Sequence, residues 1–182
     1  MTGTTLQPVR GFLLGALAAL AFTAAPAAAQ KPIQLALVAP DLQLVDQEEA
    51  VRGLRLSLYG NNVRMTGFDL GLVAQTTEMF KGFQYGLVTL NEGNAKGVSI
   101  AAVNVTQGFM QGLQIALVNS GARAEGLQLG GFNHSRNYEG LQLGLVNYAA
   151  QMEGVQLGLI NIIKEGGVFP VLPLVNWSLN RQ

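Results

Sequence analysis

A glycine returns every 14 or 15 residues through most of this chain, and each return opens the same short phrase. Gly53, Gly67, Gly82, Gly97, Gly112, Gly126, Gly140 and Gly154 are 14, 15, 15, 15, 14, 14 and 14 residues apart. The phrase is plainest in "GLQLGLVN" (140 to 147) and "GVQLGLIN" (154 to 161). A fixed short period means copies of one unit stacked on one another, which restricts the fold more than any local propensity does.

With the glycine as position 0, position 1 is Leu54, Phe68, Phe83, Val98, Leu113, Leu127, Leu141 and Val155, and position 3 is equally apolar. Position 5 is Leu or a smaller apolar residue, position 2 is polar throughout, and position 4 holds only Gly, Ala or Ser. Alternation of period two predicts a β-strand with one bulky apolar face. Hydrophobicity then puts positions 1, 3 and 5 inside. The column of Gln84, Gln114, Gln128, Gln142 and Gln156 is left facing out, beside the small residues Gly130, Gly144 and Gly158 as a flat contact strip. Position 7 is Asn in five successive units, Asn104, Asn119, Asn133, Asn147 and Asn161. Identical residues stacked ~4.8 Å apart bond amide to amide, so this column reads as a structural ladder. Two places before each glycine stands a second apolar set that includes Met65, Phe80, Met110, Tyr138 and Met152. It demands a bend or bulge at the glycine, whose backbone tolerates the dihedrals.

These observations predict an all-β, single-domain parallel β-solenoid, a narrow β-roll of about ten coils with 14 to 15 residues per coil. The alternative is an antiparallel outer-membrane β-barrel, in which Leu-out and Gln/Gly-in would suit lipid. In a barrel, however, odd and even units would differ, and here the units recur without alternation. The predicted organisation is a signal peptide over 1–29, a degenerate coil and insertion over 30–52, eight regular repeats over 53–167 and a cap over 168–182. "PIQLALVA" (32 to 39) places Pro32 in the glycine slot, and "PDLQLVDQEE" is extra chain able to cover the first coil. At the far end Asn176 falls in the Asn slot, while Pro170 and Pro173 withhold backbone donors from a further coil.

Composition narrows the function. "MTGTTLQPVR", the uncharged "GFLLGALAALAFTAA" and the Ala27–Ala29 site read as a secretory leader. Of 11 basic residues Arg10 leaves with it, so 10 stand against 11 acidic ones, a near-neutral balance that excludes an electrostatic grip on nucleic acid. There is no cysteine and one histidine, so thiolate chemistry and the usual zinc sites are excluded. His134, beside Ser135 and Arg136, has no carboxylate or oxyanion arrangement near it in sequence. The residue before each glycine becomes Glu125, Glu139 and Glu153 in consecutive units. Stacked, these repel by about 1 kcal/mol per neighbouring pair, a strain that calcium would relieve. No calcium-binding repeat accompanies them, and no cofactor is predicted.

With these residues in view, the chain resembles bacterial surface-repeat proteins, exported proteins of unknown function built on Gly-apolar-Gln-apolar-Gly-Leu-x-Asn units. "GLQLGLVN", "GVQLGLIN" and the ending "FPVLPLVNWSL" carry the resemblance, over 53–180 closely and over 32–52 loosely. More weakly, the period is similar to that of the head repeats of trimeric adhesins, which form a narrow β-roll. Neither resemblance implies catalytic residues. The expected function is a non-catalytic structural or interaction role in the envelope, periplasmic or at the cell surface. Its partner would be an envelope protein, a glycan or another copy of the chain. A membrane-spanning barrel is the alternative, with outer-membrane association, followed by a solenoid enzyme.

Overall fold

A computed structural model describes residues 31–179. The leader predicted over 1–29 lies outside the described residues. The described chain is all-β and contains no helix. Six strands, β1 (Lys31–Val38), β2 (Leu42–Gln43), β3 (Ala50–Asn91), β4 (Asn94–Ile100), β5 (Val103–Glu165) and β6 (Val171–Ser178), form one sheet in the order β2-β1-β3-β4-β5-β6, with β3 also pairing β5. β5 runs for 63 residues. Drawn straight it would reach roughly 200 Å, so it must return on itself at the sequence period.

The register shows that return. Gly82 lies opposite Gly97 and Gly97 opposite Gly112, in parallel. β1 pairs β3 in parallel with Ile33 opposite Leu54, which leaves Pro32 in the glycine slot. All eight repeat glycines have φ between 124° and 143°, a region L side chains rarely adopt. A Cβ on any of them would also strike the carbonyl oxygen of the residue stacked beneath it, from Pro32 under Gly53 to Gly140 under Gly154. The conformation and the close approach together explain the period-defining residue.

The expectation that positions 1, 3 and 5 lie inside is overturned. The buried positions are 2, 7, 9 and the apolar site two before the glycine, together with the small position 4 where the backbone permits contact. Leu58, Leu72, Leu87, Leu117, Leu145 and Leu159, all at position 5, are exposed. Inward-facing residues keep the same parity from −2 through 2, so the pleat does not invert at the glycine. Two adjacent outward residues come instead at positions 5 and 6, and again at 10 and 11. In the Gly126 unit these are Gly131 with Phe132 and Arg136 with Asn137. The apolar core is correspondingly thin: Val51, Met65, Phe80, Ala95, Met110, Ala124, Tyr138 and Met152, one per period, with Ala149 and Ile163 beside them. Phe80, Ala95, Met110, Ala124 and Tyr138 alternate large and small, so consecutive layers fill one another's gaps.

Both ends are closed by antiparallel strands. β2 turns back on β1, and Gln34 exchanges two 2.8 Å hydrogen bonds with the backbone of Val45, which is buried against the first core layer. Residues 42–45 therefore lie against the first strand. At the other end the chain reverses over 166–170, and β6 pairs antiparallel with Gly154–Ile162. Asn176 thus lies opposite Gln156 and not in the Asn slot. Its amide donates to the Phe169 carbonyl at 2.9 Å, stitching the reversal.

Candidate functional site

The interior is held by polar columns. Asn104 donates to Asn119, Asn119 to Asn133, Asn133 to Asn147 and Asn147 to Asn161, at 2.8–3.0 Å. The second N–H of each donor reaches the position-3 carbonyl of the next unit: Ile115, Leu129, Leu143 and Leu157, at 2.9–3.2 Å. Every one of these amides is buried, and burial is tolerable because both donors are used.

The Gln column forms a second ladder, which corrects its assignment as a contact face. Gln84, Gln114, Gln128, Gln142 and Gln156 are all buried, and Gln156, Gln142 and Gln128 each donate to the preceding Gln at 2.7–2.8 Å. Gly130, Gly144 and Gly158 likewise do not form an outer strip. A Cβ there would meet the carboxamides of Asn119, Asn133 or Asn147 at 2.6–3.0 Å. Position 4 is small because the backbone carbonyl of the preceding unit and, beside Gly130, Gly144 and Gly158, the Asn ladder fill the space next to it.

Lower in the same column, Arg55 and Asp69 replace two glutamines with an ion pair, both side chains wholly buried. Arg55 Nε and Nη2 donate to the two Asp69 oxygens at 2.8 and 2.6 Å, and Nη1 to the Gln75 carbonyl at 2.8 Å. Gln84 donates to Asp69 at 2.9 Å, joining the pair to the amides above. Sequence reading misses this pair, because at an outward-facing position 2 Arg55 and Asp69 would need no partner.

With the interior polar, the chain turns its bulky apolar residues to solvent. Positions 1, 3 and 5 are Leu, Ile, Val, Phe, Tyr, Ala or Gly in all eight units, without a single charge. Phe68 and Leu159 are each 62% exposed, and Leu117 71%. The face continues over both caps: Ile33 and Leu35 lie opposite Leu54 and Leu56, and Trp177 and Val175 opposite Val155 and Leu157. Ten rows ~4.8 Å apart and five residues wide make a surface of roughly 43 by 15 Å. At about 650 Å² this exceeds the ~300–600 Å² of the largest apolar patch on an ordinary monomer. Near the N-terminal end Leu35, Leu37, Leu42, Leu44, Leu56 and Leu58 border a groove of about 850 Å³.

The remaining sequence candidates assemble less. His134 stacks on Tyr148, with ring centroids 5.0 Å apart, and lies 3.4 Å from the Ser120 hydroxyl. Ser135 points inward to Gln128, so the sequence neighbours His134 and Ser135 are on opposite sides of the backbone. Glu125, Glu139 and Glu153 do share one groove, of about 330 Å³, with Arg123 and Glu165. Gln111 donates to Glu125 at 3.3–3.4 Å. Among the described residues no three His, Cys, Asp or Glu side chains are grouped to hold a metal. Tyr138, over the same groove, has its hydroxyl 2.9–3.0 Å from the Gly126 and Leu141 carbonyls, and burial pushes its phenol well above the usual range.

Comparison with protein-family models, with curated proteins and with solved structures finds no match. The outer face was legible in one signal that hydrophobicity obscured. A position restricted to Gly, Ala and Ser between two leucines is a packing constraint, and packing constraints belong to the inside.

Proposed function

We propose that this chain is a non-catalytic, exported envelope protein whose stacked repeats form a parallel β-solenoid, and that it works by presenting one rigid apolar face to a partner. The observation that carries this reading is the uncharged, solvent-facing surface of positions 1, 3 and 5. Each leucine left in water forgoes about 1.5–3 kcal/mol of burial. A sheet that leaves eleven large apolar residues exposed at these positions while burying amides is shaped for contact. The solenoid is favoured over the barrel by the parallel register one period apart and by buried amides that bond one another from period to period. In this reading β1 and the eight repeats make nine coils and the antiparallel β6 supplies the tenth row. Export rests on the leader-like first 29 residues, and the envelope role on the resemblance to surface-repeat proteins.

The test is a face variant, Leu72→Thr, Leu87→Thr and Leu145→Thr together. These side chains are exposed and Thr suits a strand, so the variant should match the parent in circular dichroism and unfolding midpoint. It should lose the parent's retention in the envelope fraction. Equal retention of both proteins would remove the face from the function.

A further inference from the structure

We propose that the occupant of the apolar face is a second copy of this chain, laid face to face and antiparallel, with a two-fold axis at the row of Gln111 and Leu117. The proposal rests on the reading of that face as a docking surface and adds its partner and geometry.

Charge is the first argument. One rim of the face is the row of residues just before the repeat glycines. Along the stack this rim reads Arg52, Thr66, Lys81, Lys96, Gln111, Glu125, Glu139, Glu153. Lys81 lies opposite Lys96 and Lys96 opposite Gln111 in the sheet register, and Gln111 bonds Glu125, so the row is contiguous in space. It is basic below Gln111 and acidic above it. The other rim, at Val88, Val103 and Val118, is uncharged. A two-fold axis along the strands turns the stack end for end yet keeps each rim on its own side. It therefore sets Lys96 against Glu125 and Lys81 against Glu139 of the second copy, and the same two pairs again by symmetry. An axis along the stack would instead set the charged rim against valines. A rim that changes sign midway also fits poorly on an anionic lipid surface, which would repel its acidic half.

Shape is the second argument, and it centres on the same row. Position 5 is Leu in six of the eight units; the exceptions are Ala102 and Gly131, on either side of Leu117. The antiparallel arrangement sets Ala102 over Gly131 of the second copy, leaving gaps beside the two Leu117 side chains that meet near the axis. Leu117 is the most exposed position-5 residue. Sheets packed this way lie about 10 Å apart with side chains interleaved. Two faces of about 650 Å² bury roughly 1,300 Å², inside the ~1,200–2,000 Å² of stable specific interfaces. The antiparallel caps close the ends of the stack and leave this face open, so association should stop at the dimer.

Sedimentation equilibrium of the full protein tests the proposal, with unfolding midpoints recorded for every variant. The parent should be a dimer. Lys81→Glu with Lys96→Glu should raise the dimer dissociation constant by about 100-fold or more. Adding Glu125→Lys and Glu139→Lys to the same chain should restore it to within about tenfold. Should the double variant unfold, Leu117→Glu makes the same test on an exposed side chain, placing two like charges at the axis and giving a monomer. A dimer indifferent to the charge swap would overturn the antiparallel arrangement. A monomeric parent would overturn the dimer, and neutral phosphatidylcholine vesicles then separate two failures. Binding to them by the parent, lost in the Leu→Thr face variant, keeps the docking face and assigns it to lipid; no binding sinks the docking reading as well.

Discussion

The two halves of the stack solve one packing problem in different chemistry. From Asn104 to Asn161 the interior is nearly uniform, with Asn above Asn and Gln above Gln, and the same amide-to-amide bond recurs from one rung to the next. Between Gly53 and Asn91 the same columns hold Arg55, Asp69 and Gln84 at position 2, and Gly60, Ala74 and Thr89 at position 7. Thr89 joins the Asn ladder from below, within 2.6 Å of the Asn104 oxygen. The difference teaches that a column needs its buried polar groups matched from one period to the next, not a particular residue; within the Gln column only Gln114 Nε2 and Gln156 Oε1, at the two ends of the run, lack a partner. Uniform amides are matched rung by rung, whereas Arg55 and Asp69 are matched only as a pair.

The corner glycine should ignore this difference, and it carries the largest expected effect. Gly67→Ala in the mixed half and Gly126→Ala in the uniform half each meet a positive φ and a carbonyl from the previous period. Each should cost about 4 kcal/mol or more in denaturant unfolding. A clear inequality between the two would show that the backbone corner depends on the interior beside it.

Next in size, Asp69→Leu leaves a buried guanidinium without its carboxylate and should cost about 3 kcal/mol or more. In the uniform half, Asn133→Leu removes one rung of the amide ladder and should cost about 1–3 kcal/mol; an unchanged unfolding midpoint there would rule out the ladder as a source of stability. The comparison sharpens with Arg55→Gln and Asp69→Gln combined, which continues the Gln column downward. This double variant should lie within about 1 kcal/mol of the parent, because replacing both members of a buried pair leaves no stranded charge. If it is as unstable as Asp69→Leu, the mixed half is not interchangeable with the uniform one.

The smallest effect belongs to a second ion pair at the same 14-residue offset. Arg64 and Glu78 are 2.7 Å apart but more than half exposed. Arg64→Ala should change stability by less than about 1 kcal/mol, and that change should shrink in high salt. A larger loss would mean that the outer sides of the stack contribute more to folding than their exposure suggests.

Much of this was legible in the residues. The glycine column, Pro32 in the glycine slot and the Asn ladder all follow from period and residue type. The orientation of the pleat did not. Leu at 1, 3 and 5 with Gln at 2 describes a two-faced strand equally well either way out, and transfer free energy favours the leucines inside. What reverses the choice is the width of the interior, which no single unit encodes. A Leu-lined interior would not fit where a Cβ at Gly144 already meets the Asn133 amide at 2.6 Å. Asn176 was misplaced for a related reason: its spacing matches the repeat, but the reversal over 166–170 turns β6 around.

Sequence by itself determined that the chain is β-structured, periodic and stacked, because spacing and residue type are properties of each unit and each unit says the same thing. Tertiary structure alone decided which side of the strand is inside. An amide is costly to bury until its neighbour one period away supplies the partner, and that partner exists only once the units are stacked. The same stacking creates the Arg55–Asp69 pair and the apolar outer face, since both arise from residues 14 or 15 apart that meet only in the folded chain.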